Sequence, residues 1–201
     1  MTKPIEFFFA IGSPYVYLAL NPLAELSRRY GAPLIPRPTV MIPENGGIFS
    51  KDRPEPRRRY WLREIDRWAA LRGKTLKMTE RGHLSDPTPA ANMVVAAALD
   101  GQDWFKLTDT LMQRFWSDER ADIGKAEVRG ALATAAGFDG PALLARERDA
   151  DVQARWEQNR SDAKALGVFG FPTCVYAGEL YWGQDNLDFL DRHLKGEPVA
   201  L

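Results

Sequence analysis

Thiols are nearly absent from this chain: its 201 residues hold one cysteine, Cys174. A single thiol can neither close an intramolecular disulfide nor run dithiol exchange within the chain. Histidine is scarce as well, with His83 and His193 far apart and no cysteine pair beside either. That leaves none of the usual nitrogen and sulfur ligand spacings, and no intrinsic metal is expected. Net charge is missing too, because 27 basic side chains balance 27 acidic ones. The chain therefore carries no overall field to draw in nucleic acid or an anionic membrane. No apolar run approaches the ~18 residues of a membrane span, and MTKPIEFFFAIGSPY places Glu6 before a short apolar stretch with no small-residue cleavage pattern. A cytoplasmic protein without membrane or nucleic-acid partners is the expectation.

The composition that remains, 45% hydrophobic and 27% charged, is that of a chain able to bury a core as one domain, or as one domain with a large insertion. Ile5 to Ala10 is apolar and aromatic, as a buried strand requires, and Gly12-Ser13-Pro14 breaks it. From Tyr15 the period becomes helical through Leu18, Leu23 and Leu26 to Gly31, with Pro22 predicting a kink or two short helices. Pro33 to Val40 reads as a second strand, parallel to the first and proline-marked as an edge. The segment from Ile42 to Gly47 has no period and suits a lid or a plain connection.

Asp52 with Glu55 has the spacing of a capping box, and Trp61, Ile65, Trp68 and Leu71 then form a helical stripe expected to be core. Further helices are predicted at Ala90 to Leu99, Trp104 to Trp116, Lys125 to Ala136 and Ala142 to Lys164. The period changes back at Pro172 to Tyr176, a strand, followed by a tight turn at Ala177-Gly178-Glu179, a partner strand Leu180 to Trp182, and a helix from about Asn186 to Leu194. The order is βαβ, about a hundred helical residues, then ββα. This predicts an α/β domain from residues 1–50 and 160–201, interrupted by a helical insertion over 51–159.

A βαβ half and a ββα half with Pro172 directly before the third strand resemble the thioredoxin fold. Three stretches narrow the likeness: Phe9 to Ala19 with its Ser-Pro-Tyr core, YWLREIDRWA over Tyr60 to Ala69, and Gly167 to Leu190 with GVFGFPT and WGQD. In content, order and separation they are similar to 2-hydroxychromene-2-carboxylate isomerases and their kappa-class glutathione transferase relatives. The resemblance implies a thioredoxin-like fold interrupted by a large all-helical insertion, a glutathione cofactor, and a homodimer.

In dithiol oxidoreductases of this fold, a Cys-x-x-Cys opens the first helix, where free amides and the helix dipole favour a thiolate. Here Ser13-Pro14-Tyr15-Val16 stands in that place. A serine hydroxyl cannot exchange disulfides, but it can donate a hydrogen bond to a thiolate supplied from outside. The resemblance makes Ser13 the catalytic residue and identifies that thiol as glutathione. It further implies that the backbone of Phe171, held by Pro172, pairs with the glutathione peptide, and that Trp182, Gly183, Gln184 and Asp185 hold its other end at the start of the last helix. The implied reaction is cis/trans isomerisation of an aromatic or conjugated oxo acid by reversible thiolate addition.

Plainer roles stand beside these. Ser13 and Asp185 both suit helix caps, and Trp182 suits packing. Lys51, Arg53 and Arg57 to Arg59 either attract a substrate carboxylate or begin a solvated helix. Asn92 either orients substrate or satisfies a helix terminus. Cys174, two residues into a strand, reads as a small buried apolar residue without a catalytic role. The chain also departs from the family pattern, with Asn186 where arginine is common and without the usual lysine and asparagine arrangement between Val40 and Arg53. The resemblance thus speaks more directly for glutathione than for one aromatic pyruvate. A kappa-like transferase or peroxidase, and a thioredoxin-fold binding protein without catalysis, are the competing functions.

Overall fold

A computed structural model describes residues 2–117 and 119–198; residue 1 and residues 199–201, at the ends of the expected α/β spans, and residue 118 of the insertion lie outside the described residues. Strand β1 (Ile5–Phe9) is buried on both faces, which is why it reads as a nearly unbroken apolar run. It pairs in parallel with β2 (Leu34–Pro38) and antiparallel with β3 (Thr173–Tyr176), which pairs with β4 (Glu179–Trp182). The sheet order β2-β1-β3-β4 puts the proline-bearing β2 at an edge, as its composition predicts. Ala177 and Gly178, both at positive φ, make the two-residue turn of the β3–β4 hairpin. This mixed sheet with helices is the thioredoxin-like α/β fold expected from the element order.

Helix α1 (Pro14–Tyr30) crosses from β1 to β2 and buries Val16, Leu20 and Leu23 against the sheet. Pro22 does not divide it: one continuous helix results, because a single missing donor is outweighed by the buried face that continues through Leu26. Between β2 and β3 lie α2 (Glu55–Leu71), α3 (Thr88–Leu99), α4 (Trp104–Trp116), α5 (Ala126–Ala135), α6 (Gly140–Arg146) and α7 (Ala150–Ala165), and α8 (Leu187–Leu194) follows β4. Their buried side chains and those of the sheet form one cluster, with Met93 and Leu111 in the same core as Phe7 and Leu20.

Several local expectations are corrected. Asp52 and Glu55 form no capping box: α2 starts after Pro54 with no side-chain cap, and Glu55 instead accepts from Arg59 at 2.7 Å. The buried row of α2 runs Trp61, Ile65, Ala69, four residues apart, which leaves Leu71 on the flank and 72% exposed. The helix expected over Ala142 to Lys164 is two helices. Asp139 caps the first by accepting from Ala142 N at 3.0 Å, Glu147 at its end keeps helical backbone and pairs with Arg129 in the core, and the chain leaves the helical path at Asp149, whose backbone is extended.

The segment between β2 and α2 contains two short 3-10 turns at Pro43–Asn45 and Ser50–Asp52. Asn45 Nδ2 lies 3.3, 3.1 and 3.0 Å from the carbonyl oxygens of Ala163, Lys164 and Val168, at the end of α7. Among the described residues, no helix is long and apolar enough to cross a membrane.

Candidate active site

At the start of α1, Ser13 occupies the N-cap with extended backbone and Pro14 follows at the first helical position, where its missing N–H costs nothing. Its hydroxyl oxygen accepts from Val16 N at 3.4 Å, longer than a well-formed N–H···O bond. Among the described residues that hydroxyl donates to no acceptor. Both readings of Ser13 therefore meet in one atom: it caps the helix weakly and keeps a proton to offer.

Beside Ser13 opens a cleft of about 800 Å³. The loop before α3 reaches this point, and an added Cβ at Gly12 would sit 2.7 Å from Pro87 Cγ. Glycine is therefore what lets the helical half of the chain approach the end of α1. Next to the cleft, Phe171 precedes Pro172 through a cis peptide bond. Among the described residues, no backbone hydrogen bond involves the N–H or carbonyl of Phe171, whereas Pro172 O accepts from Gly183 N at 2.8 Å. The cleft thus presents an unpaired strip of backbone beside a serine at a helix terminus, and both can hydrogen-bond an extended peptide carrying a thiol.

The remaining expected site residues divide. Trp182 lines the cleft, 46% exposed, packed edge-on to Phe169 at 4.8 Å and with its indole against Gly170. Lys51 and Arg57 also line it. Asp185 is exposed near the cleft and does not cap α8, whose N-cap Asn186 makes no side-chain cap bond. In the place where arginine was expected, Asn186 donates to Trp182 O at 2.6 Å and closes the turn after β4. Gln184 is buried and turned toward Arg72, whose Nη2 donates to its Oε1 at 3.3 Å, while Gln184 Nε2 has no partner. Asn92 does not line the cleft and is half-buried in α3, with its Oδ1 unpaired. Cys174 is buried in β3, and burial pushes its thiol up to about 12, which fits an inert core residue.

Of the other groups in the cleft, Arg53 was among the candidates for a substrate carboxylate, while Tyr15 and Arg81 were not singled out by sequence reasoning. Tyr15 donates to Glu64 of α2 at 2.5 Å, and burial followed by that hydrogen bond raises its pKa, keeping the phenol protonated. Arg53 lies 5.0 Å from the Trp61 ring centre, and burial lowers its pKa. Arg81 and Trp116 line another part of the wall. Trp61 and Trp116 were both legible as helix-stripe residues. Nothing in a linear pattern could show that each buries an indole nitrogen without an acceptor beside a cleft.

A sheet of this order with an interposed helical segment and a helix start beside a cis-proline loop defines a thioredoxin-fold protein. The chain belongs to the DsbA-like thioredoxin domain family, whose model matches residues 4–195, and within it to the 2-hydroxychromene-2-carboxylate isomerases. It is 32% identical over 199 residues to the 2-hydroxychromene-2-carboxylate isomerase of Sphingobium xenophagum, covering 96% of this chain and 99% of that protein. A solved 2-hydroxychromene-2-carboxylate isomerase superposes with a TM-score of 0.73 at 20% identity, covering 96% of this chain and 94% of the other. A probable DsbA oxidoreductase from Streptomyces coelicolor has the same fold, with a TM-score of 0.77, 19% identity, and coverage of 100% of this chain and 93% of the other. The protein is an isomerase of this family.

Proposed function

We propose that the protein is a glutathione-dependent cis/trans isomerase of an aromatic or otherwise conjugated oxo acid, working in the cytoplasm. The observation that carries the reading is the free donor capacity of Ser13 at the amino end of α1, in a chain whose one thiol is buried in β3. When bound, glutathione supplies a thiolate whose reversible addition to a conjugated double bond leaves a single bond free to rotate.

The chain's own residues then have separable tasks. Ser13 donates its hydroxyl proton toward the thiolate, and the free amides of the first turn of α1 favour the same negative charge. Lowering a thiol pKa by about one unit corresponds to roughly 1.4 kcal/mol. The unpaired backbone of Phe171 is available to an extended peptide, and exposed Trp182 and Asp185 sit where its far end would lie. Gly183 and Pro172 shape that corner through their mutual backbone bond, and buried Gln184 braces it from behind through Arg72. Lys51 and Arg57 draw an acidic substrate into the mouth. Asn92, set back in α3, serves the site only by supporting the wall.

The test pairs calorimetric titration of glutathione with an assay on 2-hydroxychromene-2-carboxylate. Glutathione should bind the wild type, Ser13→Ala should bind it at least tenfold more weakly, and isomerisation should need catalytic glutathione. Full-rate isomerisation by thiol-free protein would overturn the proposal. A stoichiometric glutathione conjugate as product would make the protein a transferase instead.

A further inference from the structure

Arg81 lies in the connection between α2 and α3 and lines the same cleft as Ser13. Its guanidinium carbon is 4.1 Å from the ring centre of Phe115 and 3.9 Å from that of Trp116, so the last turn of α4 holds it in the angle between two nearly perpendicular rings. Nη1 donates to the carbonyl oxygens of Phe115 at 2.8 Å and Lys77 at 3.2 Å. That fixes the plane of the group. Nη2, by contrast, is buried with no acceptor, and so is the indole nitrogen of Trp116. No carboxylate pairs with Arg81 among the described residues, and the charge that acts on it is the like charge of Arg120.

Buried donors without acceptors are costly, and a half-buried cation without a counter-charge adds to that cost. A carboxylate from outside would remove both penalties at once. Because the guanidinium is already immobilised, little side-chain entropy would be lost on binding.

We infer that Arg81 and Trp116 form the subsite for the carboxylate of the substrate, with guanidinium Nη2 and the indole N–H donating to its oxygens. The inference rests on the reading of the protein as an isomerase of a conjugated oxo acid, and it adds the residues that select for the acid. Met78, Ala91 and Pro87 beside them offer apolar surface to the carbon skeleton. Lys51 and Arg57 attract the acid on its way in, and Arg81 fixes its orientation relative to Ser13.

The experiment measures binding of benzylidenepyruvate, a conjugated oxo acid, and of benzylideneacetone, which lacks its carboxylate. Titrations use the full chain without glutathione, so that no addition can occur. Wild type should favour the acid by at least tenfold. Arg81→Gln should bind the acid at least tenfold more weakly and the ketone within twofold of wild type, while glutathione affinity stays unchanged. Trp116→Phe keeps the ring and removes the N–H, and it should show the same selective loss at three- to tenfold; it decides the matter should Arg81→Gln fail to fold. Equal affinity of wild type for the two compounds, or equal loss of both in the variants, overturns the inference. Failure of wild type to bind glutathione overturns the proposed function and leaves the acid selectivity to be read independently.

Discussion

Two arginines, Arg129 buried and Arg81 half-buried, set the two halves of the helical region against each other. Arg129 of α5 meets Glu147 with Nε and Nη2 each 2.6 Å from a carboxylate oxygen, and its Nη1 donates to Gly124 O at 2.8 Å. Arg81 is held just as firmly by two carbonyls and two rings, yet one nitrogen is left without an acceptor. The first is a closed arrangement, 7% and 8% exposed at its two side chains and remote from the cleft. The second is open, and it lies on the cleft wall. The fold can fully satisfy a buried guanidinium where it only needs structure, and on the reading proposed above the open one takes its acceptor from solution.

That contrast can be broken from the structural side first. Glu147→Ala leaves Arg129 buried without its counter-charge and should cost about 3–5 kcal/mol, read as a lower denaturation midpoint. Glutathione affinity of the remaining folded protein should be unchanged, because the pair touches no cleft residue. Next in size is Gly12→Ala, whose new methyl must push Pro87 away from α1. A loss of about 1–3 kcal/mol in chemical denaturation is expected, together with weaker binding of any ligand that spans Ser13 and the wall beyond Pro87.

Ser13→Ala should cost about 0.5–1 kcal/mol of stability, the low end for an N-cap, because the bond to Val16 is long. A loss above 2 kcal/mol in thermal or urea unfolding would mean that Ser13 is chiefly structural. The smallest effect concerns Cys174. With its thiol held near 12 by burial, it carries almost no thiolate at pH 8. It should resist alkylation in the native state and react on unfolding; rapid native labelling would contradict its place in the core.

Much of the fold was legible because it rests on local period and punctuation. The apolar run of β1, the break at Gly12-Ser13-Pro14 and the hairpin turn at Ala177-Gly178 are short-range signals, and the structure agrees with each. The misreadings arose where tertiary contacts decide. Glu147 looked like one more polar residue in a long helix, and its pairing with Arg129, eighteen positions earlier, is a contact that no local pattern shows. At the cleft, the positions of Ser13 at a helix start and of Phe171 before the proline were legible because they belong to a motif. The setting of Arg81 was not, since it comes from two aromatic side chains more than thirty residues away in sequence. The retreat of Gln184 from the cleft was equally invisible, because Arg72, its partner, arrives from the far end of α2.

The amide of Asn45 bears on how the entrance can move. With its nitrogen set among three carbonyls where α7 ends, it works as a bracket fastening the first 3-10 turn to the rigid body of the molecule. The segment that passes the mouth is therefore no swinging gate hinged at β2. Gly46 and Gly47 bond back into the same turn, to Pro43 O and Ile42 O, so any widening must begin beyond Gly47, in the few residues before α2.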